Sequence, residues 1–102
     1  MRGHARMQLY VRSKSVVSRV IAGETLIIPV RRGVGDLASI YSLNEVASVI
    51  WETVTAPRST EEIVHVLQEK FAGEPEQIKC DVTAFLGEMG SAGLINEVGV
   101  AA

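Results

Sequence analysis

The sequence predicts an α+β fold, in which a three-stranded antiparallel sheet is followed by a three-helix bundle that resembles a winged helix-turn-helix. β-branched residues dominate two runs before residue 31, which is typical of strands. From residue 43 onward, apolar residues recur at the spacing of one helix face. A third strand over 39–42 runs directly into the first helix, and Ser42 with Glu45 has capping-box spacing at that junction. Strands that precede helices in this way are typical of an α+β domain.

The composition fits one small globular domain. The chain has 102 residues, of which 47% are hydrophobic, and this is enough for a core. Its single cysteine, Cys80, excludes an internal disulfide and agrees with a reducing cytoplasm. No run approaches the ~18 apolar residues of a membrane span, and no apolar signal core follows the first basic residues. We therefore expect a cytoplasmic protein with no membrane association, which dimerisation would help to stabilise.

Charge is divided unevenly along the chain. Residues 1–32 contain seven Lys and Arg residues and one Glu, whereas residues 33–102 contain three basic and eleven acidic residues. Two interpretations stay open at this point. The basic segment is either a tail on an acidic globule or one face that attracts an acidic partner.

The first third of the chain is predicted to form a hairpin. Residues 1–14 show no clear period and are expected to form a flexible basic tail. Two β-rich runs over 15–22 and 25–30 are separated by a turn, which predicts paired strands. Pro29 cannot donate to a strand ladder, so we expect it at a strand end or a bulge. Residues 31–38 are expected to form a glycine-containing loop.

Three helices follow. The first is predicted over 43–54, with Trp51 more favourably placed at the edge of the core than at a contact surface. The second begins at Ser59 or Thr60, where Ser59 and Glu62 have capping-box spacing.

The third helix begins at Pro75 and is closed by Gly93, after which residues 97–102 are expected to be disordered. Its predicted core stripe has Leu86 beside it and comprises Ile78, Val82, Phe85 and Met89. Residues 15–96 are thus predicted to form the folded domain.

No residue pattern predicts catalysis. His4 lies in the predicted tail, His65 lies opposite the apolar face of the second helix, and neither has a partner at metal-ligand spacing. Cys80 is interpreted as a partly buried, inert thiol. We therefore expect no enzymatic activity, no bound metal and no cofactor.

Several short motifs in order resemble those of the PqqD family, which is named for a pyrroloquinoline quinone biosynthesis protein. They cover about residues 15–96 and comprise Val17-Ser18-Arg19, Ile40-Tyr41-Ser42-Leu43-Asn44, Ile50-Trp51-Glu52, Pro57 with Ser59-Thr60-Glu61-Glu62-Ile63, Asp81-Val82 and Gly93-Leu94-Ile95. The 31–38 connection is longer than the short turn expected in this family. The resemblance implies a winged-helix-like domain that holds the leader of a ribosomally made precursor peptide. It also implies presentation of that leader to a modifying enzyme, often a radical S-adenosylmethionine (radical SAM) maturase.

The resemblance further implies that the leader adds as a strand to the third strand, in a groove shared with the third helix. The residues alone agree on one point, because a three-stranded meander leaves an unpaired edge that templates another strand. The predicted peptide-binding residues are Ser39, Ile40, Tyr41, Ser42, Lys79, Thr83 and Leu86. The opposite flank of the third helix, with Asp81, Ala84 and Glu88, is the competing choice, and the strand register stays open.

Two other functions are weighed against peptide binding. Three helices with a wing are also typical of DNA-binding regulators, but the predicted reading helix carries Glu76, Asp81 and Glu88 against Lys79 alone. Because DNA affinity depends on neutralising phosphates with Lys and Arg, we expect no nucleic-acid binding. The third possibility is a structural dimerisation module.

Overall fold

The computed structural model describes residues 6–31, 34–35 and 40–101 of the chain. The predicted α+β class is confirmed, because antiparallel strands precede three helices. In chain order the elements are β1 (Arg6–Arg12), β2 (Val16–Ile21), β3 (Glu24–Arg31), β4 (Val34–Gly35), β5 (Tyr41–Leu43), α1 (Glu45–Thr53), α2 (Thr60–Lys70), α3 (Pro75–Ser91) and β6 (Ile95–Ala101).

The predicted hairpin is formed by β2 and β3. The two strands are antiparallel, with Ile21 opposite Glu24 across a two-residue turn. Both turn residues have positive φ, 54° at Ala22 and 82° at Gly23. A two-residue turn with this geometry matches the right-handed twist of the flanking strands, and glycine adopts it without strain.

Two short strands, β4 and β5, each pair with β3. β5 pairs with β3 through Tyr41 opposite Ile27 and Leu43 opposite Thr25. β4 pairs with the same strand further along, where Gly35 lies opposite Val30. Ile28 and Pro29 of β3 lie between the two pairings. The third strand that the sequence predicts over 39–42 is found at Tyr41–Leu43.

The junction between β5 and α1 is capped differently from the prediction. Asn44 is the N-cap residue, and its side-chain Oδ1 accepts the backbone N–H of Ala47 at 2.8 Å. Ser42 stays in the strand and Glu45 begins the helix, so the expected Ser42–Glu45 capping box does not form. Asparagine is one of the strongest N-cap residues, and it ends the strand one residue before the helix starts.

The other helix ends follow the predicted signals. In α2, the Glu62 N–H donates to Ser59 Oγ at 3.1 Å and the Ser59 N–H donates to Glu62 Oε1 at 2.9 Å, which is the reciprocal capping box. Pro75 occupies the first turn of α3. After this helix, Gly93 adopts a φ of 78°, and the chain turns so that Leu94 is buried.

The core lies where β3, β5, β6 and the three helices meet. Its buried apolar residues are Ile27, Leu43, Ala47, Ile50, Trp51, Val54, Ile63, Leu67, Val82, Leu86, Met89, Leu94 and Ile95. Trp51 is fully buried, so its predicted place at the core edge is wrong. The Arg12 guanidinium covers this ring from outside, 4.8 Å from its centroid.

The two ends of the chain form a ribbon of paired strands in place of the predicted tails. β1 and β6 are antiparallel, with Leu9 opposite Val98 near the middle. The prediction of a flexible segment over 1–14 is therefore wrong for 6–12, and the prediction of disorder over 97–102 is wrong for 97–101. Each strand satisfies the backbone groups of the other, and neither could do so alone.

The outer edge of β1 is bonded to the turn between α1 and α2. The Tyr10 N–H donates to the Arg58 carbonyl at 2.7 Å, and the Arg58 N–H donates back to the Tyr10 carbonyl at 3.0 Å. Two residues further along β1, the Arg12 N–H donates to the Val54 carbonyl at 3.0 Å. These bonds attach the ribbon to the helices.

The Arg12 side chain adds a second attachment. Its Nε donates to the Trp51 carbonyl at 3.0 Å, and its Nη2 lies 3.1 Å from the Glu52 carboxylate. The same guanidinium stacks on the Trp51 ring, which is a favourable cation–π geometry. A residue that the sequence placed in a tail therefore covers the centre of the core.

Candidate functional site

The outer edge of β5 is open. In the described part of the chain β5 pairs with β3 on one side, and no strand pairs with it on the other. Tyr41 and Leu43 point to the core face with Ile27, because residues opposite each other in an antiparallel pair share a face. Ser42 points to the other face and is exposed.

One hydrogen bond determines which backbone groups line this edge. The Val30 N–H donates to the Ser15 carbonyl at 2.8 Å, so even-numbered residues of β3 direct their N–H and C=O groups toward β2. Odd-numbered residues of β3 therefore bond toward β5, to Tyr41 and Leu43. It follows that the N–H and C=O of Ser42 point away from β3, into the open edge. The strand register that the sequence left undecided is thereby assigned to the even positions.

The other predicted strand residues differ in their exposure. Ser39 lies outside the described residues. Ile40 is 43% exposed and stands two residues before Ser42, in phase with it. Tyr41 is half-buried and packs on the core. Pro29 lies inside β3, two residues before its end, at an odd position that bonds away from β2, so its missing N–H removes no hydrogen bond to β2.

The three predicted residues of α3 do not lie beside β5. Lys79 is exposed and lines a hollow against α2, together with Val64. Thr83 lines a different hollow, against β1 and β6, that includes Tyr10. Leu86 also reaches that hollow but is only 4% exposed and belongs to the core. Neither hollow includes a residue of β5, so this flank of α3 faces the second helix and the terminal ribbon.

The opposite flank of α3 lies near the start of α1. Ile78 and Asp81 line a hollow of about 170 Å³ with Val46 of α1 and with Phe71 after α2. Val46 is exposed and follows the end of β5 by three residues. The walls are apolar and the rim is acidic, because Glu74 and Asp81 stand at the opening. Ile78 was predicted for the core stripe and Val46 was not predicted as a site residue, because one valine in the first turn of a helix does not by itself indicate a binding surface.

The exposed surface of α3 is acidic. Glu76, Asp81 and Glu88 are all exposed, and Lys79 is the basic residue of this helix. A helix with this charge repels phosphate groups, so the geometry does not suit α3 as a DNA-reading helix.

The described residues contain little chemistry of other kinds. Among them no cluster of three His, Cys, Asp or Glu side chains is arranged to hold a metal ion. None of the helices in this part of the chain is long and apolar enough to cross a membrane. His65 is exposed, as predicted, and lies 3.5 Å from Glu69. Cys80 is exposed, so the prediction of a partly buried thiol is wrong.

A hollow of about 720 Å³ lies between the end of α1 and the start of α2. Three of the charged side chains that line it, Glu52, Arg58 and Glu62, form ion pairs. Arg58 lies 3.8 Å from Glu62, and Glu52 is bonded to Arg12. Ion-paired side chains in an open hollow form no nucleophile–base pair, so we do not assign a reaction to this hollow.

With the open edge and the acidic flank in place, comparison with known protein families is informative. Residues 25–95 match the family model described as coenzyme PQQ synthesis protein D, PqqD. The chain belongs to the PqqD family. The match begins in β3 and ends at the first residue of β6, so it includes β5, all three helices and the open edge. A comparison with curated proteins finds no match.

Two solved structures share the fold of this PqqD family member. One is TbiB1 in complex with the TbiA(beta) leader peptide, which is 23% identical in sequence, with a TM-score of 0.72 over 84% of this chain and 94% of that chain. The other is a lasso peptide synthetase B1 complexed with its leader peptide, which is 14% identical, with a TM-score of 0.71 over 85% of this chain and 96% of that chain. At these identities, the likeness concerns the fold.

Proposed function

We propose that this protein binds the leader of a ribosomally synthesised precursor peptide by strand addition and presents it to a modifying enzyme in the cytoplasm. The observation that carries the proposal is the open edge of β5, whose outward N–H and C=O groups belong to Ser42. An exposed strand edge binds an extended peptide through its backbone, and pockets beside it select side chains. Family membership and the two leader-bound structures of the same fold support this choice.

The register of the edge defines how the leader pairs. Ser42 exchanges backbone hydrogen bonds with one leader residue, and Ile40, which is in phase with it, does so two positions earlier. Alternate leader side chains then point to opposite faces of the extended sheet. One set points toward the helices, and the other set shares the face that carries the Ser42 side chain.

For the helical side of the groove, we propose the flank of α3 that carries Ile78 and Asp81. The hollow between this flank and Val46 also includes no residue of β5, but Val46 follows the end of β5 by only three residues, whereas Lys79 and Thr83 line hollows against α2 and the ribbon. The apolar walls suit one large aliphatic or aromatic leader side chain. The acidic rim favours a Lys or Arg near that anchor residue, because opposite charges steer and orient the peptide.

The partner that receives the leader is proposed to be a radical SAM enzyme or another maturation enzyme of a peptide natural product. Among the described residues, no three His, Cys, Asp or Glu side chains are grouped so that they could hold a metal ion. In this proposal the domain acts by raising the local concentration of the precursor at the enzyme.

The test is binding of a labelled leader to edge variants. The probe is the N-terminal segment of the precursor encoded beside the gene, labelled with fluorescein and titrated by anisotropy. Ser42→Pro removes an outward N–H and should weaken binding several-fold, because one backbone hydrogen bond is worth roughly 0.5–1.5 kcal/mol net. Ile40→Pro should act in the same direction. Both should retain the circular dichroism spectrum of the parent, because the bonds to β3 are left intact.

Tyr41→Pro is the matched control. Its N–H bonds inward to β3, so this substitution should lower the midpoint of thermal unfolding instead of acting on the leader alone. If folded Ser42→Pro and Ile40→Pro bind the leader as tightly as the parent, the peptide does not use this edge. A second leader is scrambled over the residues proposed to enter the hollow. If the parent binds this leader as tightly as the native leader, the edge binds peptides without side-chain selection.

A further inference from the structure

The outer face of the sheet, which points away from the core, is divided into rows of side chains that cross the strands. Residues opposite each other in an antiparallel pair share a face, so a row joins one residue from each strand. The row that contains Ser42 also contains Leu26 and Arg19. Because side chains alternate along a strand, the neighbouring rows of this face lie two residues away on either side.

The row toward the start of β5 is aliphatic. Val17 lies opposite Ile28, and continuing the register of β3 and β5 by one pair places Ile40 beside Ile28. Val17 is 39% exposed, Ile40 is 43% exposed, and Ile28 is half-buried. Single exposed aliphatic side chains are normal on a protein surface, but three in one row form a continuous apolar strip. We call Val17, Ile28 and Ile40 the aliphatic row.

The row at the other end of β5 is polar where it reaches the edge. Ile21 lies opposite Glu24, and the same register places the N-cap residue Asn44 beside Glu24. Glu24 and Asn44 are both exposed. A strand added beside β5 therefore meets an apolar neighbour on the outer face at Ile40, whereas at Ser42 and Asn44 it meets polar side chains.

We infer that Ile40 selects an aliphatic residue of the leader, Val, Ile or Leu, which extends the aliphatic row by one strand. This inference rests on the proposed function. The leader residues that pair with Ile40 and Ser42 are two positions apart, so both point to the outer face. Cross-strand pairs of apolar side chains stabilise a sheet relative to pairs of alanines, and a polar residue in this place gives up that gain.

The position of the hollow beside Val46 then defines a spacing in the leader. The leader side chain that enters the hollow points to the opposite face from the one beside Ile40, so the two residues are an odd number of positions apart. Val46 follows the end of β5, whereas Ile40 precedes its start. The nearest inward-pointing leader positions on the Val46 side stand three and five residues from the partner of Ile40. The leader should therefore contain two apolar residues at one of these spacings.

The first test is a matched pair of variants of the protein. Ile40→Thr keeps a β-branched side chain and replaces the apolar contact with a hydroxyl. It should weaken binding of the fluorescein-labelled leader about two- to five-fold in anisotropy titrations, which is the size of a cross-strand pair. Ile21→Thr makes the same change on the same face, in the row of Glu24, and should alter leader affinity less than about 1.5-fold. Both variants should keep the circular dichroism spectrum of the parent.

A threonine scan of the leader is the second test, and it needs no variant of the protein. With the parent, replacing one aliphatic leader residue should cost about two- to five-fold. This residue should stand three or five positions from the apolar residue whose replacement costs most. With Ile40→Thr the same leader substitution should cost clearly less, because its contact is already lost, and this coupling identifies the pair.

The outcomes separate this inference from the proposed function. The inference is wrong if Ile40→Thr binds the leader like the parent, if no leader substitution is coupled to position 40, or if Ile21→Thr weakens binding equally. In each of these cases Ser42→Pro decides the wider question. A loss of affinity in Ser42→Pro shows that the leader still uses the edge of β5 and that only selection by Ile40 fails. Parent-like binding by folded Ser42→Pro means that the proposed strand addition fails as well.

Discussion

The outer edges of β1 and β5 differ in what they bond to. The β1 edge exchanges backbone hydrogen bonds with Arg58 and Val54, and its Arg12 side chain lies on Trp51. The β5 edge directs the N–H and C=O of Ser42 away from β3, toward a side where the described residues offer no strand. Both strands are short and lie beside the helices, yet the first edge is closed by the chain itself and the second is left for another chain.

The difference separates stability from binding. Groups that bond within the chain hold the ribbon to the helices, and their loss should be measured as a change in the free energy of unfolding. Groups on the open edge bond to water in the free protein and become useful when a peptide replaces that water. Substitutions in the two regions should therefore move different measurements.

The largest expected effect lies on the core face of β3, between the two edges. Ile27→Ala should lower the free energy of unfolding by about 2–4 kcal/mol, because Ile27 is fully buried and the substitution leaves a cavity. Ile28→Ala, on the outer face of the same strand, should cost less than half as much. Urea denaturation followed by circular dichroism measures both values. Equal costs at the two positions would mean that Ile28 is as deeply buried in solution as Ile27.

At the closed edge, Arg12→Ala should lower the free energy of unfolding by about 1–3 kcal/mol. It removes a charged hydrogen bond to the Trp51 carbonyl and the stacking on that ring. The ion pair with Glu52 contributes little, because the Glu52 side chain is 67% exposed. Arg19→Ala is the control and should stay within about 0.5 kcal/mol of the parent, as expected for an exposed residue.

The open groove is tested by removing the same charge from each flank of α3. Asp81→Ala should weaken leader binding about three- to ten-fold, roughly 1 kcal/mol, because it removes a carboxylate from the rim of the hollow. Glu76→Ala removes one carboxylate from the flank that carries Lys79, and it should leave the leader affinity unchanged. If Glu76→Ala weakens leader binding and Asp81→Ala does not, the wall of the groove is the flank with Lys79 and Thr83.

The smallest effect concerns pH at the closed edge. Burial, and then the carboxylate of Glu97 that accepts from its hydroxyl at 3.3 Å, raise the pKa of Tyr10 above its ordinary value of 10.0. The folded state thus favours the neutral phenol. Its contribution to stability is fully present below about pH 10 and is lost as pH rises through the raised pKa. At pH 7 the free energy of unfolding of Tyr10→Phe should stay within about 1 kcal/mol of that of the parent. From pH 9 to between pH 10 and 11, the free energy of unfolding should fall less in Tyr10→Phe than in the parent. An identical alkaline decline in both proteins would exclude Tyr10 as the titrating group.

Local signals predicted the parts of the fold that depend on local sequence. The hairpin, the Ser59–Glu62 capping box and the start of α3 at Pro75 all depend on residues that lie close together in the chain. The terminal ribbon could not be predicted as easily, because it pairs residues from opposite ends of the chain. A signal was nevertheless present, since Met7, Leu9 and Val11 alternate with polar residues or tyrosine over 7–12.

The candidate site was predictable in outline only. The strand before α1 was identified, but its register required the position of the Val30–Ser15 hydrogen bond. The rotation of α3 about its axis was a second obstacle. Val82 and Met89 of the predicted stripe are buried and Ile78 and Phe85 pack against the core at its edge, but the helix is turned so that Leu86 is buried as well. Leu86 moved from the groove to the core for this reason.

Complete burial of the single tryptophan has a practical consequence for optical work. The indole of Trp51 is enclosed in the core beneath Arg12, with no hydrogen-bond partner for its Nε1 among the described residues. Its emission should therefore lie at short wavelength in the folded protein and shift to longer wavelength when water reaches the ring on unfolding. No other tryptophan in the chain overlaps this signal. The wavelength of emission thus reports whether the ribbon still covers the core, without any label.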